Sequence, residues 1–197
     1  GQASNTDPGF EVGKTTWVAM RLVPARYGSG EKYAAAAERA LERVRSIAGV
    51  ESAALADVVP LNDSITIGTE MKTDLDPAKK HVRAQMNRVS PEYFRTMGIG
   101  LKAGREFSET DREGTTAVAI LNETMAEQFF GGQSPVGHTI GWDFAGGSKT
   151  LEVVGVARDS KYFTLGEDPT PAFYTPWQQE KDHGAVLNLM VRSARPP

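Results

Sequence analysis

The sequence predicts an α+β fold in two parts, and three observations lead to this fold class. With 197 residues, of which 40% are hydrophobic and 24% charged, the chain can bury a core as one large domain or two small ones. Segments with the alternating pattern of strands and segments with the periodicity of helices follow one another. After Gly98 and Gly100 the strand-like segments become shorter and glycine more frequent, which marks a boundary between the parts.

The first predicted unit is β-α-β and covers residues 15–59. Residues 15–23 alternate polar and apolar side chains, as a half-buried strand does. After a turn region, residues 31–48 place apolar side chains on one face and charged ones mostly opposite, which predicts an amphipathic helix that stops at Gly49. Residues 50–59 then resume the strand pattern. Such a unit needs another layer to cover its sheet.

Two strands and a short helix are predicted next, before the boundary. The strands cover residues 65–72 and 82–89, and an aspartate-proline turn separates them. The helix covers residues 91–97, and Pro91 suits its first position because the N–H that proline lacks would be unpaired there. Ser90 can cap this helix, and Gly98 can end it in a left-handed turn.

The second part is predicted to be mostly strands, with one helix. Asn122 is the predicted cap of a helix over residues 123–130, and Gly131 is its predicted stop. A glycine-containing turn at residues 145–148 predicts a hairpin. The predicted strands of this part and of the chain end cover residues 116–121, 139–144, 151–156 and 185–191.

Composition excludes several function classes. The formal charge of -3 comes from 22 basic and 25 acidic residues without a long run of one sign, whereas nucleic-acid binding needs clustered Lys and Arg. The chain contains no cysteine, which excludes disulfides and thiolate metal sites and leaves the compartment open. The sequence has no apolar stretch of about 20 residues that could span a bilayer, and no basic start followed by an apolar run.

Both ends of the sequence are typical of a piece of a longer protein. Gly1 stands where an initiator Met would be, and Arg195-Pro196-Pro197 follows directly after a strand-like run. We therefore expect further sequence on either side.

Two glycine-containing segments resemble phosphate-binding loops only in part. Gly146-Gly147-Ser148-Lys149-Thr150 is followed by a strand, whereas a phosphate loop needs a helix after it. A hairpin turn is the preferred interpretation. Gly28-Ser29-Gly30 does precede a helix, but the wider glycine fingerprint is missing. A helix cap with a tight turn is preferred there.

The titratable and nucleophilic residues lack the spacing of a catalytic or metal site. The histidines are far apart in the sequence, and they are His81, His138 and His183. Acids that cluster between strands miss the calcium-loop pattern, and they are Asp57, Asp63, Asp74 and Asp76. Serines without nucleophile-elbow surroundings are Ser29, Ser64 and Ser148. We expect no catalytic, cofactor-binding or metal-binding residue, and no cofactor.

An aromatic stretch near three prolines has two interpretations. It can form part of the core and the sheet edge, which is preferred, or a binding surface for an extended partner. Its aromatic residues are Tyr162, Phe163, Phe173, Tyr174 and Trp177, and the prolines are Pro169, Pro171 and Pro176.

Ordered motifs over nearly the whole chain carry a family resemblance. The most specific are Val89-Ser90-Pro91-Glu92-Tyr93-Phe94, Gly98-Ile99, Gly104-Arg105-Glu106-Phe107, Val118-Ala119-Ile120-Leu121-Asn122-Glu123 and Pro135-Val136-Gly137. Asp7-Pro8-Gly9-Phe10 precedes them, and Val153-Val154-Gly155-Val156 with Asp159 follows. In this order the motifs resemble the extracytoplasmic (periplasmic) core domain of MacB/FtsX-like ABC transporter permeases, of the acidobacterial type without a fused ATPase.

The resemblance implies a two-part domain inserted between the first and second transmembrane helices of a permease. A porter-like subdomain with a mixed sheet would cover residues 14–96 and 185–193. An inserted, mostly-β sabre-like subdomain with a short helix would cover residues 98–180, and residues 1–13 and 194–197 would be membrane-proximal ends. Since the chain would leave the membrane and return to it, we predict that Thr15 and Val191 lie on neighbouring strands.

The resemblance also implies a non-catalytic function. The two packed subdomains would couple cytoplasmic ATP hydrolysis to extracytoplasmic work, such as efflux or the handling of a lipoprotein or other substrate, by mechanical transmission. The ATPase would be a separate or fused nucleotide-binding domain. The implied partners are the transmembrane helices of the same permease, a cytoplasmic ATPase subunit, a second permease copy and a periplasmic adaptor or lipoprotein, but no nucleic acid. The implied location is the inner membrane, with this domain facing the periplasm.

Two other function classes stay open on the sequence. A periplasmic ligand-binding or sensor module would have a deep pocket between the subdomains with convergent polar groups. A hydrolase would have Ser, His and Asp within hydrogen-bond reach in a cleft.

Overall fold

The computed structural model describes residues 15–57, 65–76, 78, 80–160, 164–165, 168–180 and 186–194. The helices are α1 (Pro24–Tyr27), α2 (Gly30–Arg45), α3 (Tyr93–Met97) and α4 (Glu123–Phe130). The strands are β1 (Thr15–Arg21), β2 (Val50–Ala56), β3 (Ile65–Thr73), β4 (Lys80–Val89), β5 (Leu101–Gly104), β6 (Val118–Asn122), β7 (Thr139–Phe144), β8 (Gly147–Ala157), β9 (Thr164–Leu165), β10 (Asp168–Pro169), β11 (Ala172–Pro176) and β12 (Asn188–Ala194). A 3₁₀ turn, Trp177–Gln179, follows β11. No helix within these described ranges is long and apolar enough to cross a membrane.

Three strands, β1, β12 and β2, form what we call the first sheet. The middle strand, β12, is antiparallel to both of its neighbours. Thr15 pairs with Ala194, and Val18 pairs with Val191, which confirms the prediction that Thr15 and Val191 lie on neighbouring strands. Because β1 and β2 run in the same direction with α2 between them in sequence, they form the predicted β-α-β unit, with β12 inserted between its strands.

Six further strands close into what we call the ring. Their order is β4, β11, β6, β8, β7 and β3, and β3 pairs again with β4. The β4–β11 and β6–β8 pairs are parallel, and the other four pairs are antiparallel. Each ring strand therefore has a strand on both sides, and β5 adds to the ring by pairing with β8.

The first sheet joins the ring at the ends of β2 and β4. Ala56 pairs with Val89, and Asp57 N donates a hydrogen bond to Arg88 O at 2.9 Å. The sequence prediction assigns β3 and β4 to the porter-like subdomain, but both strands pair with ring strands that it assigns to the sabre-like subdomain. The division into two subdomains at Gly98 stays a prediction.

Three hydrophobic clusters of described residues hold these layers together. One lies between α2 and the first sheet and includes Tyr33, Ala37, Leu41, Leu55, Leu189 and Val191. A second lies between α4 and ring strands and includes Met125, Phe129, Phe130, Leu121, Ile140 and Phe173. The third, which we call the shared core, includes Trp17, Ala54, Met190, Tyr93, Phe94, Met97, Ile120, Val154 and Tyr174. Because the shared core takes side chains from the first sheet, α3 and the ring, apolar burial couples these regions.

Several predicted local features are confirmed. The bounds of α4 match the prediction, and Asn122 Oδ1 accepts a hydrogen bond from Met125 N at 2.9 Å as its cap. Gly131 follows the last turn of α4 with a φ of 57°, and Gly98 ends α3 with a φ of 70°. The predicted hairpin is formed by β7 and β8. Side-chain caps and glycines are local signals, so they can be identified without knowledge of the tertiary structure.

Predictions at the other helix ends were wrong. Ser90 does not cap α3, because its Oγ accepts a hydrogen bond from Leu55 N at 2.8 Å and thus connects the chain to β2. The helix begins at Tyr93, so Pro91 is not in its first turn, and Glu92 precedes it in the left-handed region with a φ of 73°. The end of α2 lies at Arg45 and not at residue 48, because the chain leaves the helix at Ser46.

Candidate functional site

A charged network lies where the first sheet meets the ring. Arg88 near the end of β4 places Nη1 3.1 Å from Oδ2 of Asp57, which follows β2. The Nε of Arg88 lies 3.5 Å from Oε2 of Glu180, which follows the 3₁₀ turn. Glu180 also forms an ion pair with Lys149 on β8. These four side chains of alternating charge connect the first sheet to three segments of the ring region, and we call them the charged network.

Asp57 is the most enclosed member of the charged network. Its side chain is 1% exposed, and burial raises its pKa to about 6, although the neighbouring Arg88 guanidinium acts in the opposite direction. Asn188, at the start of β12, donates from Nδ2 to the backbone oxygen of Asp57 at 3.1 Å. The end of β2, the end of β4 and the start of β12 are therefore held together at one point.

The helix α3 packs against the ring with its aromatic side chains. Phe94 meets Tyr174 of β11 edge to face, with ring centroids 4.8 Å apart and an interplanar angle of 76°. Tyr93 lies 5.8 Å from the same tyrosine ring. Phe107, in the loop after β5, lies 6.4 Å from Phe94. Aromatic pairs at such distances contribute roughly 0.5–1.5 kcal/mol beyond the burial of their area.

Hydrogen bonds attach the end of α3 to the first sheet. Arg192 on β12 donates from Nε to Thr96 O at 2.8 Å. Thr96 in turn donates from Oγ1 to Ser52 Oγ on β2 at 2.9 Å. Arg192 is only 3% exposed, and a buried charged side chain persists in a fold where hydrogen bonds compensate for its lost hydration. These contacts and the aromatic ones place α3 between the two regions.

A bidentate ion pair fixes the loop between β5 and β6. Arg105 places Nη1 and Nη2 at 2.8 Å and 2.9 Å from the two carboxylate oxygens of Asp111, and Ser108 N donates to the same carboxylate at 2.8 Å. Burial alone would raise the pKa of Asp111, but these hydrogen bonds outweigh burial and hold the pKa below its ordinary value. The loop that carries Phe107 is thereby held in place.

In the part of the chain that the structure describes, one histidine candidate and one acidic candidate form a pair, and no third candidate completes a metal site. His138 Nδ1 lies 3.0 Å from Asp74 Oδ2. Against the effect of burial, this contact and a hydrogen bond from Thr139 N hold the pKa of Asp74 below its ordinary value. Asp57 belongs to the charged network instead. Among the described residues no group of three or more His, Cys, Asp or Glu could hold a metal ion, and His183, Asp63 and Ser64 lie outside them.

The glycine-containing and aromatic candidates have structural roles. Gly146 lies in the turn between β7 and β8 and Gly147 begins β8, as the hairpin interpretation predicted. Ser29 is the N-cap residue of α2, although its side chain makes no capping hydrogen bond. The buried members of the aromatic stretch, which confirm core packing, are Phe173, Tyr174 and Trp177. Tyr162 and Phe163 lie outside the described residues.

A small cavity lies beside the charged network. Its volume is about 90 Å³, and its lining includes Arg112, Thr115, Lys149, Gln179 and Glu180. Pockets for drug-sized ligands have volumes of about 300–1,000 Å³. This cavity is lined by the loop between β5 and β6, by β8, by β11 and by the 3₁₀ turn, and it is too small for a drug-sized ligand.

Sequence reasoning missed the arginines at this junction, although a signal was present. In a strand, residues two positions apart point to the same face. Arg192 follows the buried Met190 by two positions, and Arg88 follows the buried Met86 in the same way. An arginine on a core-facing position needs hydrogen-bond partners, so this spacing could have identified both residues.

Comparison with known proteins gives a family match over almost the whole chain. The sequence profile of the MacB-like periplasmic core domain matches residues 4–197. The chain is 37% identical over 81 residues to the probable syringafactin export ATP-binding/permease protein SyfD of Pseudomonas syringae pv. tomato, a match that covers 41% of this chain and 12% of that protein. It is 26% identical over 119 residues to the macrolide export ATP-binding/permease protein MacB of Aggregatibacter actinomycetemcomitans, covering 59% of this chain and 16% of that protein. The chain thus spans less than a fifth of the length of these curated relatives.

Two solved structures have a similar fold. The periplasmic region of MacB from Actinobacillus actinomycetemcomitans gives a TM-score of 0.58 at 15% identity, covering 96% of this chain and 78% of that one. The extracellular domain of the noncanonic ABC-type transporter YknZ from Gram-positive bacteria gives a TM-score of 0.52 at 19% identity, covering 79% and 72%. These matches confirm the predicted fold class of mixed sheet and few helices.

Proposed function

The chain belongs to the MacB-like periplasmic core domain family of ABC transporter permeases, and we propose that it transmits motion from the membrane to the extracytoplasmic side without catalysing a reaction. One observation carries this proposal: Thr15 at the start of β1 pairs with Ala194 at the end of β12. The two ends of the described domain therefore lie side by side at one end of the first sheet. A domain inserted between two transmembrane helices needs this arrangement, because both of its connections must reach the same membrane surface.

The proposed location is the inner membrane, with this domain in the periplasm. Its partners are the transmembrane helices of the same permease, a second permease copy, a cytoplasmic ATPase and a periplasmic adaptor or lipoprotein. Relatives that are named export ATP-binding/permease proteins support an assembly of permease and ATPase. The extracytoplasmic work would be efflux or the handling of a lipoprotein or other substrate.

The domain moves as one body in this proposal. ATP hydrolysis would rearrange the transmembrane helices, and β1 and β12 would carry that displacement outward. The shared core supports this step because it combines Trp17 and Met190 of the first sheet with Ile120 and Tyr174 of the ring. Close-packed interiors transmit displacement and do not deform continuously. The porter-like subdomain would be centred on the first sheet, and the sabre-like subdomain on the ring strands beyond Gly98.

Distance measurements in the full-length permease bound to its ATPase test this proposal. Spin labels replace Ile47, which follows α2 and is 56% exposed, and Phe144 on β7, which is 54% exposed. This chain contributes no cysteine that would compete for the label. Pulsed dipolar spectroscopy then gives the 47–144 distance within one domain and the 144–144 distance between two copies, with and without a trapped ATP analogue. We expect the distance between copies to change and the distance within the domain to stay constant.

An ATPase that cannot bind nucleotide is the control, and it should abolish the change between copies. A 144–144 distance that is the same with and without nucleotide would show that the domain does not move in response to the ATPase. A 47–144 distance that changes with nucleotide would show that the domain bends, which contradicts movement as one body.

A further inference from the structure

Among the side-chain contacts that join the first sheet to the ring in the described residues, the charged network and the contacts of α3 differ in exposure. The charged network ends at Glu180 and Lys149, whose side chains are 40% and 29% exposed. Solvent and salt weaken ion pairs that are exposed to this degree. The contacts of α3 are buried from one end to the other, at Arg192, Thr96, Tyr93, Phe94 and Tyr174. The α3 contacts are therefore the stiffer connection.

The first step of this connection leads from the strand β12 into α3. Arg192 lies in the middle strand of the first sheet and pairs with Trp17 of β1 and with Ser52 of β2. Its Nε donates to Thr96 O at 2.8 Å, and an arginine can stabilise the carbonyls at a helix end in this way. The bond from Thr96 Oγ1 to Ser52 Oγ attaches the same turn to β2. The last turn of α3 is thus fastened to two of the three strands.

The second step leads from α3 into the ring. The helix has five residues, and two of them, Tyr93 and Phe94, place their rings against Tyr174 at centroid distances of 5.8 Å and 4.8 Å. Tyr174 belongs to β11, which pairs with β4 on one side and β6 on the other. A displacement of α3 therefore reaches the ring at β11, which passes it to strands on both sides.

We propose that α3 is the coupling element between the first sheet and the ring, and that Arg192 is the positioning residue that fastens α3 to β12. This inference rests on the proposed function, because coupling matters only if the membrane moves β1 and β12. It assigns the transmission to the buried Arg192–Thr96 contact and not to the charged network.

The test uses the spin-labelled full-length permease with its ATPase and the substitution Arg192→Met, which keeps much of the side-chain length and removes the donors. We expect the 47–144 distance to become nucleotide-dependent and the 144–144 change to be reduced, because the ring no longer follows the first sheet. Arg95→Met on the same helix is the matched control, since the Arg95 side chain is 63% exposed and forms a surface ion pair with Glu92 of the same segment. This control should behave as the unsubstituted permease does.

Two further variants keep the inference testable if Arg192→Met does not fold. Thr96→Val preserves the shape of the side chain and removes the bond to Ser52, so it should give a smaller effect in the same direction. Arg192→Lys keeps the charge and a donor group but loses the planar guanidinium, and it should restore part of the coupling. A purely structural role of Arg192 would lower the melting temperature but leave the 47–144 distance independent of nucleotide.

The outcomes separate this inference from the proposed function. If the unsubstituted permease shows no 144–144 change, the proposed function fails. If it shows the change and Arg192→Met or Thr96→Val behaves identically, only the inference fails. An effect of Arg88→Met without an effect at position 192 would assign the coupling to the charged network and overturn the inference.

Discussion

In the ring every strand has a neighbour on both sides, whereas in the described part of the first sheet β1 pairs with β12 alone. The helices that cover the two regions differ as well. The 16-residue α2 buries mainly small side chains, among them Ala34, Ala36 and Ala37, while the 8-residue α4 buries Met125, Phe129 and Phe130. The ring is closed and its helix buries mainly large side chains, whereas the first sheet has a strand with one neighbour and its helix buries three alanines beside Tyr33 and Leu41.

This difference indicates which region depends on the other. A closed set of strands satisfies its backbone hydrogen bonds internally, whereas a three-stranded sheet needs packing on its faces. The large side chains on the α3 face of the first sheet belong to the shared core, where α3 brings Tyr93 and Phe94. We therefore expect the first sheet to depend on α3 more than the ring does.

Among the substitutions that test this dependence, truncation of Phe94 should cause the largest loss of stability. Phe94→Ala removes a buried ring that contacts Tyr174 and Phe107, so the free energy of unfolding should fall by about 4 kcal/mol. Chemical denaturation of the chain measures this loss. Phe144→Ala on the exposed end of β7 is the matched control and should change stability by less than about 0.5 kcal/mol.

Tryptophan fluorescence can show whether the loss is regional. Trp17 lies in the first sheet and Trp142 lies in the ring, so two variants that each retain one of them, with Trp177 replaced by Phe in both, report the regions separately. Phe94→Ala should lower the denaturant midpoint of the variant that retains Trp17 by more than it lowers the midpoint of the variant that retains Trp142. Equal decreases in the two midpoints would mean that the first sheet and the ring still unfold as one cooperative unit without Phe94, held together by the β2–β4 pairing.

The features that could be predicted from the sequence are those with local causes. Asn122 and Gly131 bound α4 because a side-chain cap and a glycine act on adjacent backbone. The β7–β8 hairpin could be predicted because its glycine-containing turn is a short continuous segment of the sequence. The pairing of β1 with β12 was expected from the family resemblance, which supplied a non-local constraint that composition and periodicity do not contain.

The remaining features depend on contacts between distant segments. The ring closes because β3 pairs with both β4 and β7, and β11 pairs in parallel with β4, which lies more than 80 residues earlier in the chain. Ser90 is of a residue type that often caps helices, but β2 lies close to it, and its hydroxyl accepts a hydrogen bond from Leu55 N instead. The spacing of Arg88 and Arg192 from buried methionines could have marked these two residues, but their partners could not be predicted, because their neighbours in space, such as Asp57 and Thr96, are not their neighbours in sequence.

The charged network should give the next largest effect, and this effect depends on pH. The pKa of Asp57 is about 6 in the folded chain and near 4 in the unfolded chain. Between these values the folded state binds more protons, so raising the pH from about 3 to about 7 removes about 3 kcal/mol of stability on account of this group. In Asp57→Asn this contribution is absent. The difference in unfolding free energy between the two proteins, measured from about pH 3 to about pH 7, should therefore change by that amount.

Asp111 provides a control of opposite sign for the charged network. Its pKa is lowered in the folded chain, so its contribution to stability is present above the unfolded pKa and is lost as the pH falls through the folded one. Asp111→Asn should therefore remove stability at neutral pH and less of it in acid. If Asp57→Asn shows the same pH dependence as Asp111→Asn, the buried junction carboxylate is not the source of the effect.

Substitution of one glycine in each region by alanine compares backbone crowding at the ring with backbone crowding at the first sheet. Gly104 ends β5 with a φ of 73°, and a Cβ there would lie 2.0 Å from Val154 O. Gly49 precedes β2 with a φ of 90°, and a Cβ there would meet no described atom within 4 Å. Gly49→Ala should cost about 1 kcal/mol from the left-handed conformation alone, whereas Gly104→Ala should cost about 3 kcal/mol because backbone must also move. Thermal denaturation of both variants measures the difference, and equal losses would show that β5 can move away from β8 without cost.

The smallest expected effect compares the caps of the two long helices. Asn122 Oδ1 accepts from Met125 N at the start of α4 and from Ala172 N of β11 at 3.1 Å, so Asn122→Ala removes a helix cap and leaves a buried strand N–H without its acceptor. This loss should cost about 1.5 kcal/mol. Ser29 occupies the corresponding position of α2 without a side-chain capping hydrogen bond, and Ser29→Ala should change stability by less than about 0.5 kcal/mol. Denaturant midpoints of the two variants measure these losses of stability. If Asn122→Ala lowers stability as little as Ser29→Ala does, the hydrogen bonds of Asn122 do not fix α4 to the ring, and packing alone holds it.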